Sequence, residues 1–259
     1  MILLDTHTHL YLPEFDEDRA EMLERASQQG VQKMILPNID SESIPKIQKM
    51  RREFPDYCVA SMGLHPTSVK ENFEEELKAC YEELKNGQYM AIGEMGIDLY
   101  WDKSFYEQQK IAFKKQIDWA LEFDLPIIIH SRDSFDEIFE LMDEVWNPKL
   151  RGVFHCFSGN KAQAEKIIND YHFKLGIGGV LTFKNSTLRE EIKDISLSHL
   201  ILETDAPFLA PVPNRGKRNE SAYVALVAQK LAELKGISIE EVADITTKNA
   251  MDLFNFENI

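Results

Sequence analysis

A chain of 259 residues, 44% hydrophobic and 28% charged, has the balance of a globular protein, and that composition excludes general disorder. A formal charge of −15 excludes broad adhesion to nucleic acid through a basic surface, yet permits a phosphodiester held at one local site where metal ions supply positive charge. The three cysteines, Cys58, Cys80 and Cys156, give neither a disulfide framework nor a zinc-knuckle spacing. With no secretory signal and no apolar run near the roughly 20 residues of a bilayer span, they point to a cytoplasmic setting and no membrane.

Short β-rich runs alternate with stretches of helical period along the chain. Strands are expected at Ile2–His7, Lys33–Pro37, Tyr57–Met62, Tyr89–Glu94, Pro126–His130, Gly152–His155, Phe173–Gly176 and Leu200–Thr204. Helices are expected between them, at Asp16–Gln29, Glu42–Phe54, Glu74–Lys85, Lys103–Phe123, Ser134–Val145, Lys161–Asp170 and Ser186–Ile195. Two more, Ser221–Leu234 and Ile239–Phe254, follow the last strand. Runs such as Pro126-Ile-Ile-Ile read as parallel strands buried on both faces. Eight strands, each followed by a helix, in a chain close to the typical barrel size of about 250 residues predict an α/β fold of the (β/α)₈ TIM-barrel type. An open doubly wound sheet usually carries a glycine-rich turn after its first strand. Here that strand runs into Asp5-Thr-His-Thr-His with no glycine. With no linker or low-complexity segment, residues 1–259 read as a single domain.

The strand ends carry the chemistry. The first ends in His7-Thr8-His9, the third runs into Gly63-Leu64-His65-Pro66, and the fourth ends in Gly93-Glu94-Met95-Gly96-Ile97-Asp98. The fifth ends in His130-Ser131-Arg132-Asp133, the sixth in His155-Cys156-Phe157-Ser158-Gly159, and the eighth in Glu203-Thr204-Asp205-Ala206-Pro207. Five of the seven histidines thus fall on the face where barrel enzymes build their sites. Residues i and i+2 of a strand share a face, so His7 and His9 can grip one ion. Imidazoles and carboxylates are the usual ligands of Zn²⁺ and also serve Mn²⁺ and Fe²⁺. The set His7, His9, Glu94, His130, His155 and Asp205 suffices for two ions with open positions.

Each residue also has a plainer reading. A single histidine at a strand end is commonly a polar cap, and Glu94 alone could cap the next helix. The ordered set is what favours a metal site. His172 and His199 are expected at the starts of the seventh and eighth strands, the opposite end of the barrel. Cys156 is expected to point away from the site as a buried, inert thiol.

These motifs resemble those of the TatD family of metal-dependent deoxyribonucleases, within the wider amidohydrolase-type barrels. The resemblance runs over nearly the whole chain: Asp5-Thr-His-Thr-His-Leu, Gly63-Leu-His-Pro, Gly93-Glu-Met-Gly-Ile-Asp, Ile129-His-Ser-Arg, Gly152-Val-Phe-His-Cys-Phe-Ser-Gly and Leu202-Glu-Thr-Asp-Ala-Pro. It implies that His7, His9 and Asp205 hold one ion, that His130 and His155 hold the other, and that Glu94 bridges them. Mg, Mn and Zn are the candidate metals. His65 and Glu203 match further polar active-site positions, and Asn214–Glu220 resembles a family loop of less defined role. Many amidohydrolases carry a modified lysine where Glu94 stands, and histidinol-phosphatase-type barrels close with Asp-x-His where this chain has Asp205-Ala-Pro.

The implied activity is hydrolysis of DNA phosphodiester bonds, with Asp205 and Glu94 catalytic and Asp205 accepting a proton from a metal-activated water. His65, Arg132 and Glu203 would contact substrate. Arg132 could instead pair with Asp133 or Asp136, and His65 could be a hydrogen-bonded cap. The acidic surface and the few basic residues near the site (Arg132, Lys184, Arg215, Lys217, Arg218) suit a short single-stranded or 3′ end. Hydrolysis of a cyclic amide, lactone or ester, or a metal-binding scaffold without turnover, remain the alternatives, and the oligomeric state is not legible.

Overall fold

The computed structural model describes residues 1–256; the final three residues of the expected domain lie outside the described residues. Eight strands alternate with helices: β1 (Leu3–Asp5), α1 (Arg19–Gln28), β2 (Val31–Pro37), α2 (Ile44–Glu53), β3 (Cys58–Ser61), α3 (Phe73–Asn86), β4 (Ile92–Asp98) and α4 (Tyr106–Phe123). There follow β5 (Ile127–Arg132), α5 (Phe135–Val145), β6 (Gly152–Phe154), α6 (Lys161–Asn169), β7 (Lys174–Ile177), α7 (Leu188–Ile192), β8 (Leu200–Leu202), α8 (Val224–Lys235) and α9 (Ile239–Phe254).

Every strand pairing is parallel, in the two runs β1-β2-β3 and β4-β5-β6-β7-β8. Two short seams join the runs. Between β3 and β4, Met62 bridges Ile92, with the Met62 amide donating to Ala91 O and the Gly93 amide to Met62 O, both at 3.0 Å. Between β8 and β1, Thr8 bridges Ala206 in the residues just past the strands. Here the Asp205 amide donates to His7 O (2.9 Å) and the His9 amide to Ala206 O (2.7 Å). These bonds close the cylinder, so the fold is the expected α/β barrel.

The interior follows strand alternation. Leu4, Ile35, Ile128, Val153 and Ile201 form one buried cluster with Ala250, Leu253 and Phe254 of α9. Ile128 and Val153 lie two residues before His130 and His155, so the same inward face carries an apolar layer below and the histidines above. α9 plugs the floor of that layer. A second, larger cluster fills the space between strands and surrounding helices.

Several boundaries differ from expectation. β1 stops at Asp5 rather than His7, because the next residues pair with the extension of β8. β4 starts later and runs on to Asp98, so Glu94 sits inside the strand and not at its end. Its register against β5 slips between Ile92 and Met95, and beyond the slip Asp98 pairs with Arg132. Gly96 (φ 156°) makes this possible, since a Cβ there would run into the His130 carbonyl. α7 spans Leu188–Ile192, about half its expected length, and a 3₁₀ turn at Leu197–His199 leads into β8. Among the described residues, no helix is long and apolar enough to cross a membrane.

Candidate metal centre

Past β1 and β8 the chain is held by a buried carboxylate. Asp5 accepts from the Thr204 amide (2.9 Å), the Thr204 hydroxyl (2.6 Å) and the His7 amide (3.4 Å). Burial, opposed by these hydrogen bonds, raises its pKa to about 7. Asp5 thereby locks the two segments that carry His7, His9 and Asp205 against each other. It was visible in the sequence motif, but its clamp is built with a residue 199 positions away.

Four donor atoms meet above that clamp. His7 Nε2 lies 3.1 Å from Glu94 Oε2, 3.3 Å from His9 Nε2 and 3.8 Å from Asp205 Oδ1. His9 Nε2 lies 3.4 Å from Asp205 Oδ1 and 3.7 Å from Glu94 Oε2. A tetrahedral ion with bonds of about 2.1 Å sets its donors about 3.4 Å apart. The observed spacings scatter around that value.

The other oxygen of Glu94 faces a second group. Glu94 Oε1 is 2.8 Å from His130 Nδ1, 3.1 Å from His155 Nε2 and 3.2 Å from His65 Nε2. The two groups therefore share one carboxylate, each taking a different oxygen. His7 and His155 stack with ring centroids 3.7 Å apart between them.

The ring nitrogens facing away from these groups decide which nitrogen offers a lone pair. His9 Nδ1 meets Tyr11 Oη at 2.9 Å, and that hydroxyl donates to Pro37 O at 2.7 Å. The hydroxyl must accept from His9, so Nδ1 carries the proton and Nε2 is free to coordinate. His130 Nε2 is 2.9 Å from Asp98 Oδ2, and His155 Nδ1 is 3.2 Å from Glu203 Oε1. In the neutral imidazoles these outer nitrogens donate to the carboxylates and the inner nitrogens keep their lone pairs, as in metal-bound histidines with such outer partners. His7 Nδ1 is buried and has no hydrogen-bond partner among the described residues. The donor set and its outer partners fit divalent cations.

His65 differs. Its Nδ1 accepts the Thr67 amide at 3.1 Å, and a backbone amide can only donate. A neutral His65 therefore carries its proton on Nε2, pointing at Glu94, and acts there as a donor although its nitrogen lies among the candidate ligands.

Electrostatics follow burial and mutual contact. Burial opposes ionisation of Glu94, but His65, His155 and His7 outweigh it and hold its carboxyl well below the usual range. Burial also opposes protonation of His155, against which Glu94 and then Glu203 push its pKa well up. His7 is driven down by burial and by His155.

Two residues sit differently from their expected places. Glu203, expected at the substrate, is 1% exposed. It accepts from the Cys156 amide and from His155, in room left by Gly176, where a Cβ would strike its carboxylate. It is a support for His155. Cys156, expected to face away, instead lines a cleft of about 560 Å³ with His130, His155, Arg132 and Asp205. Burial holds its thiol well above the usual range, so it is protonated.

Arg132 is exposed at the cleft mouth and, among the described residues, forms no ion pair with Asp133 or Asp136; its guanidinium lies 4.3 Å from the Tyr100 ring centroid. His172 and His199 lie before β7 and β8, at the far end of the barrel. The Asn214–Glu220 loop is a brace: Arg218 donates to both Asp18 oxygens (2.6 and 2.8 Å), and Arg25 ties Asp18 to Glu220. Asn219 Nδ2 donates to Thr204 O and Phe208 O, steadying the segment around Asp205. The residue that sequence reasoning missed is Asp98, the partner of His130. Its signal was the spacing Glu94-x-x-x-Asp98, which only the register slip in β4 brings to His130.

A barrel whose C-terminal face gathers histidines around a shared carboxylate defines the class of metal-dependent hydrolases. Residues 4–255 match the family described as TatD related DNase, and the chain belongs to that family. It is 41% identical over 254 residues to YabD of Bacillus subtilis, named an uncharacterized metal-dependent hydrolase, covering 98% of this chain and 99% of that one. It is 32% identical over 260 residues to a protein of Erwinia tasmaniensis named 3′-5′ ssDNA/RNA exonuclease TatD, covering 98% and 100%. The crystal structure of YjjV, a TatD homologue from Escherichia coli, superposes with a TM-score of 0.91 at 31% identity, covering 98% of each chain.

Proposed function

We propose that this single-domain metal-dependent hydrolase is a two-metal nuclease that removes nucleotides from the 3′ end of single-stranded DNA. The observation that carries the reading is Glu94, with Oε2 among His7, His9 and Asp205 and Oε1 against His130 and His155. His7, His9, Asp205 and Glu94 would hold one divalent ion, and His130, His155 and Glu94 the other, with Mg, Mn or Zn as the metal. When bound, such ions polarise a phosphoryl oxygen and bring a water's pKa toward neutrality.

The chain's own groups divide the remaining work. Asp205 has a side chain 15% exposed, the most open of the carboxylates at the centre, and would accept the proton of the attacking water. His65 Nε2–H, which lies 3.2 Å from Glu94 Oε1, would be shared between that carboxylate and a phosphate oxygen of bound substrate. Arg132 offers a planar fork of donors at the mouth. Asp98 and Glu203 keep His130 and His155 in the ligating tautomer. The support for a strand end is the −15 charge, which disfavours tracking along duplex, together with the name carried by the Erwinia relative.

Side-by-side assays of metal-loaded protein on a single-stranded oligonucleotide, an activated phosphodiester and a lactone test the reading. Release of mononucleotides from the oligonucleotide is expected. Turnover of the lactone alone would overturn the nuclease assignment while leaving the metal chemistry in place.

A further inference from the structure

The exposed large hydrophobic residues of the described chain include three aromatics, Tyr100, Trp101 and Phe208, and all three lie in loops on the catalytic face of the barrel. Tyr100 is 53% and Trp101 69% exposed, in the turn that follows β4. Their rings meet edge to face with centroids 4.9 Å apart. The Arg132 guanidinium stands 4.3 Å from the Tyr100 centroid and 5.9 Å from that of Trp101. Leaving such surface in water costs hydrophobic free energy, and packing does not require it.

The turn is fastened to the metal centre through one side chain. Asp98 Oδ1 accepts the amides of Tyr100 and Trp101, each at 3.0 Å, while its Oδ2 accepts from His130 Nε2 at 2.9 Å. The backbone that carries the aromatic pair is thus fixed relative to His130, and Arg132, two residues after His130, lies against the pair and lines the cleft. Across the centre, Phe208 stands edge-on to His9, with ring centroids 6.0 Å apart.

We infer that Tyr100, Trp101 and Arg132 form a base-stacking platform for single-stranded nucleic acid, holding an unpaired nucleobase on the aromatic pair while the guanidinium takes the adjoining phosphate. The inference rests on the nuclease reading above and names where its substrate is gripped. An exposed aromatic face beside a cation recognises any unpaired base without reading its identity, because every base has a π face. A duplex end, whose bases are already stacked, gains little from it. The platform therefore supplies a preference for single strands that a −15 surface charge would not supply by itself.

The test is a cycle of protein and substrate changes on metal-loaded protein. Single-stranded oligonucleotides, intact or with abasic sugars at the 3′-terminal positions, are assayed with the natural protein, Trp101→Ala and Trp101→Phe. Trp101 lies outside the core, so its removal leaves the barrel standing. Base removal should raise KM about tenfold for the natural protein, and Trp101→Ala should raise KM about tenfold on intact substrate. The two losses should not add, and Trp101→Phe should recover most of the affinity. Equal KM on intact and abasic substrates, or an undiminished base preference in Trp101→Ala, would overturn the platform and leave the nuclease reading intact. Failure of that reading looks different: the natural protein releases no nucleotide at all. Quenching, by the intact but not the abasic oligonucleotide, of the tryptophan fluorescence that Trp101→Phe removes would then keep the platform as a binding site, and its absence would sink both.

Discussion

Replacing Asp98 with asparagine separates a structural carboxylate from one that sets a metal ligand. Asp98 is 1% exposed and accepts three protons, those of the Tyr100 and Trp101 amides and that of His130 Nε2. Burial raises its pKa, but His130 and the two amides outweigh this and keep the carboxyl below its usual range, so it is an acceptor throughout. Asparagine has one accepting oxygen. If that oxygen stays with the amides, the NH₂ faces His130 and forces the imidazole proton onto Nδ1, the nitrogen 2.8 Å from Glu94. If the oxygen turns to His130, the NH₂ opposes two backbone donors, at a cost of about 1–3 kcal/mol. In the first arrangement His130 loses its lone pair toward the cleft. Removing such an outer partner weakens metal binding by roughly 10–100-fold, or about 1.4–2.8 kcal/mol. Competition against a chromophoric chelator with Zn²⁺ or Mn²⁺ reads the two affinities separately. The ion held by His130 and His155 should weaken, while the one held by His7, His9 and Asp205 changes by less than about threefold. Two unchanged affinities, or two falling alike, would refute the tautomer argument.

Glu94→Ala should remove both ions from the purified protein together with turnover, read by elemental analysis, because each group of donors uses one of its oxygens. Asp205→Asn should depress kcat at least about 100-fold while KM moves little, since proton transfer belongs to the transition state; a change confined to KM would make it a binding residue. Phe254→Ala, opening the floor beneath the interior layer, should cost about 3–5 kcal/mol in denaturant unfolding, and a loss below 1 kcal/mol would mean α9 does not plug the barrel. Arg218 and then Arg25 hold Asp18 below its usual pKa of 3.8, so the stabilisation is present above that value and fades as pH falls below it. Asp18→Asn should therefore lose about 1 kcal/mol at pH 7 and progressively less on acidification, by urea unfolding across pH.

The alternation of strand and helix was legible because buried parallel strands such as Ile127-Ile-Ile leave long apolar runs, and the His7-x-His9 spacing followed from strand geometry alone. Boundaries set by tertiary contact were not. β1 shortens because its end pairs with residues after β8, and β4 runs on past Glu94 because Gly96 admits the His130 carbonyl. The same limit applies at the site. Ligand-type residues announce themselves at strand ends, whereas supporting roles depend on what a side chain meets across the barrel. Glu203 and Asp98 are carboxylates of one kind in the sequence. Nothing in their local sequence shows that both stand behind a histidine. The Asn214–Glu220 loop, unreadable by motif, proves to be a charged brace because Asp18 and Arg25 of the distant α1 region meet it.

Metal content and nucleotide release measured on one purified preparation test the two-metal nuclease most directly. The expected result is about two divalent ions per chain, loss of mononucleotide release from a single-stranded oligonucleotide on chelation, and recovery with Mg²⁺, Mn²⁺ or Zn²⁺. Undiminished release by demonstrably metal-free protein would contradict it.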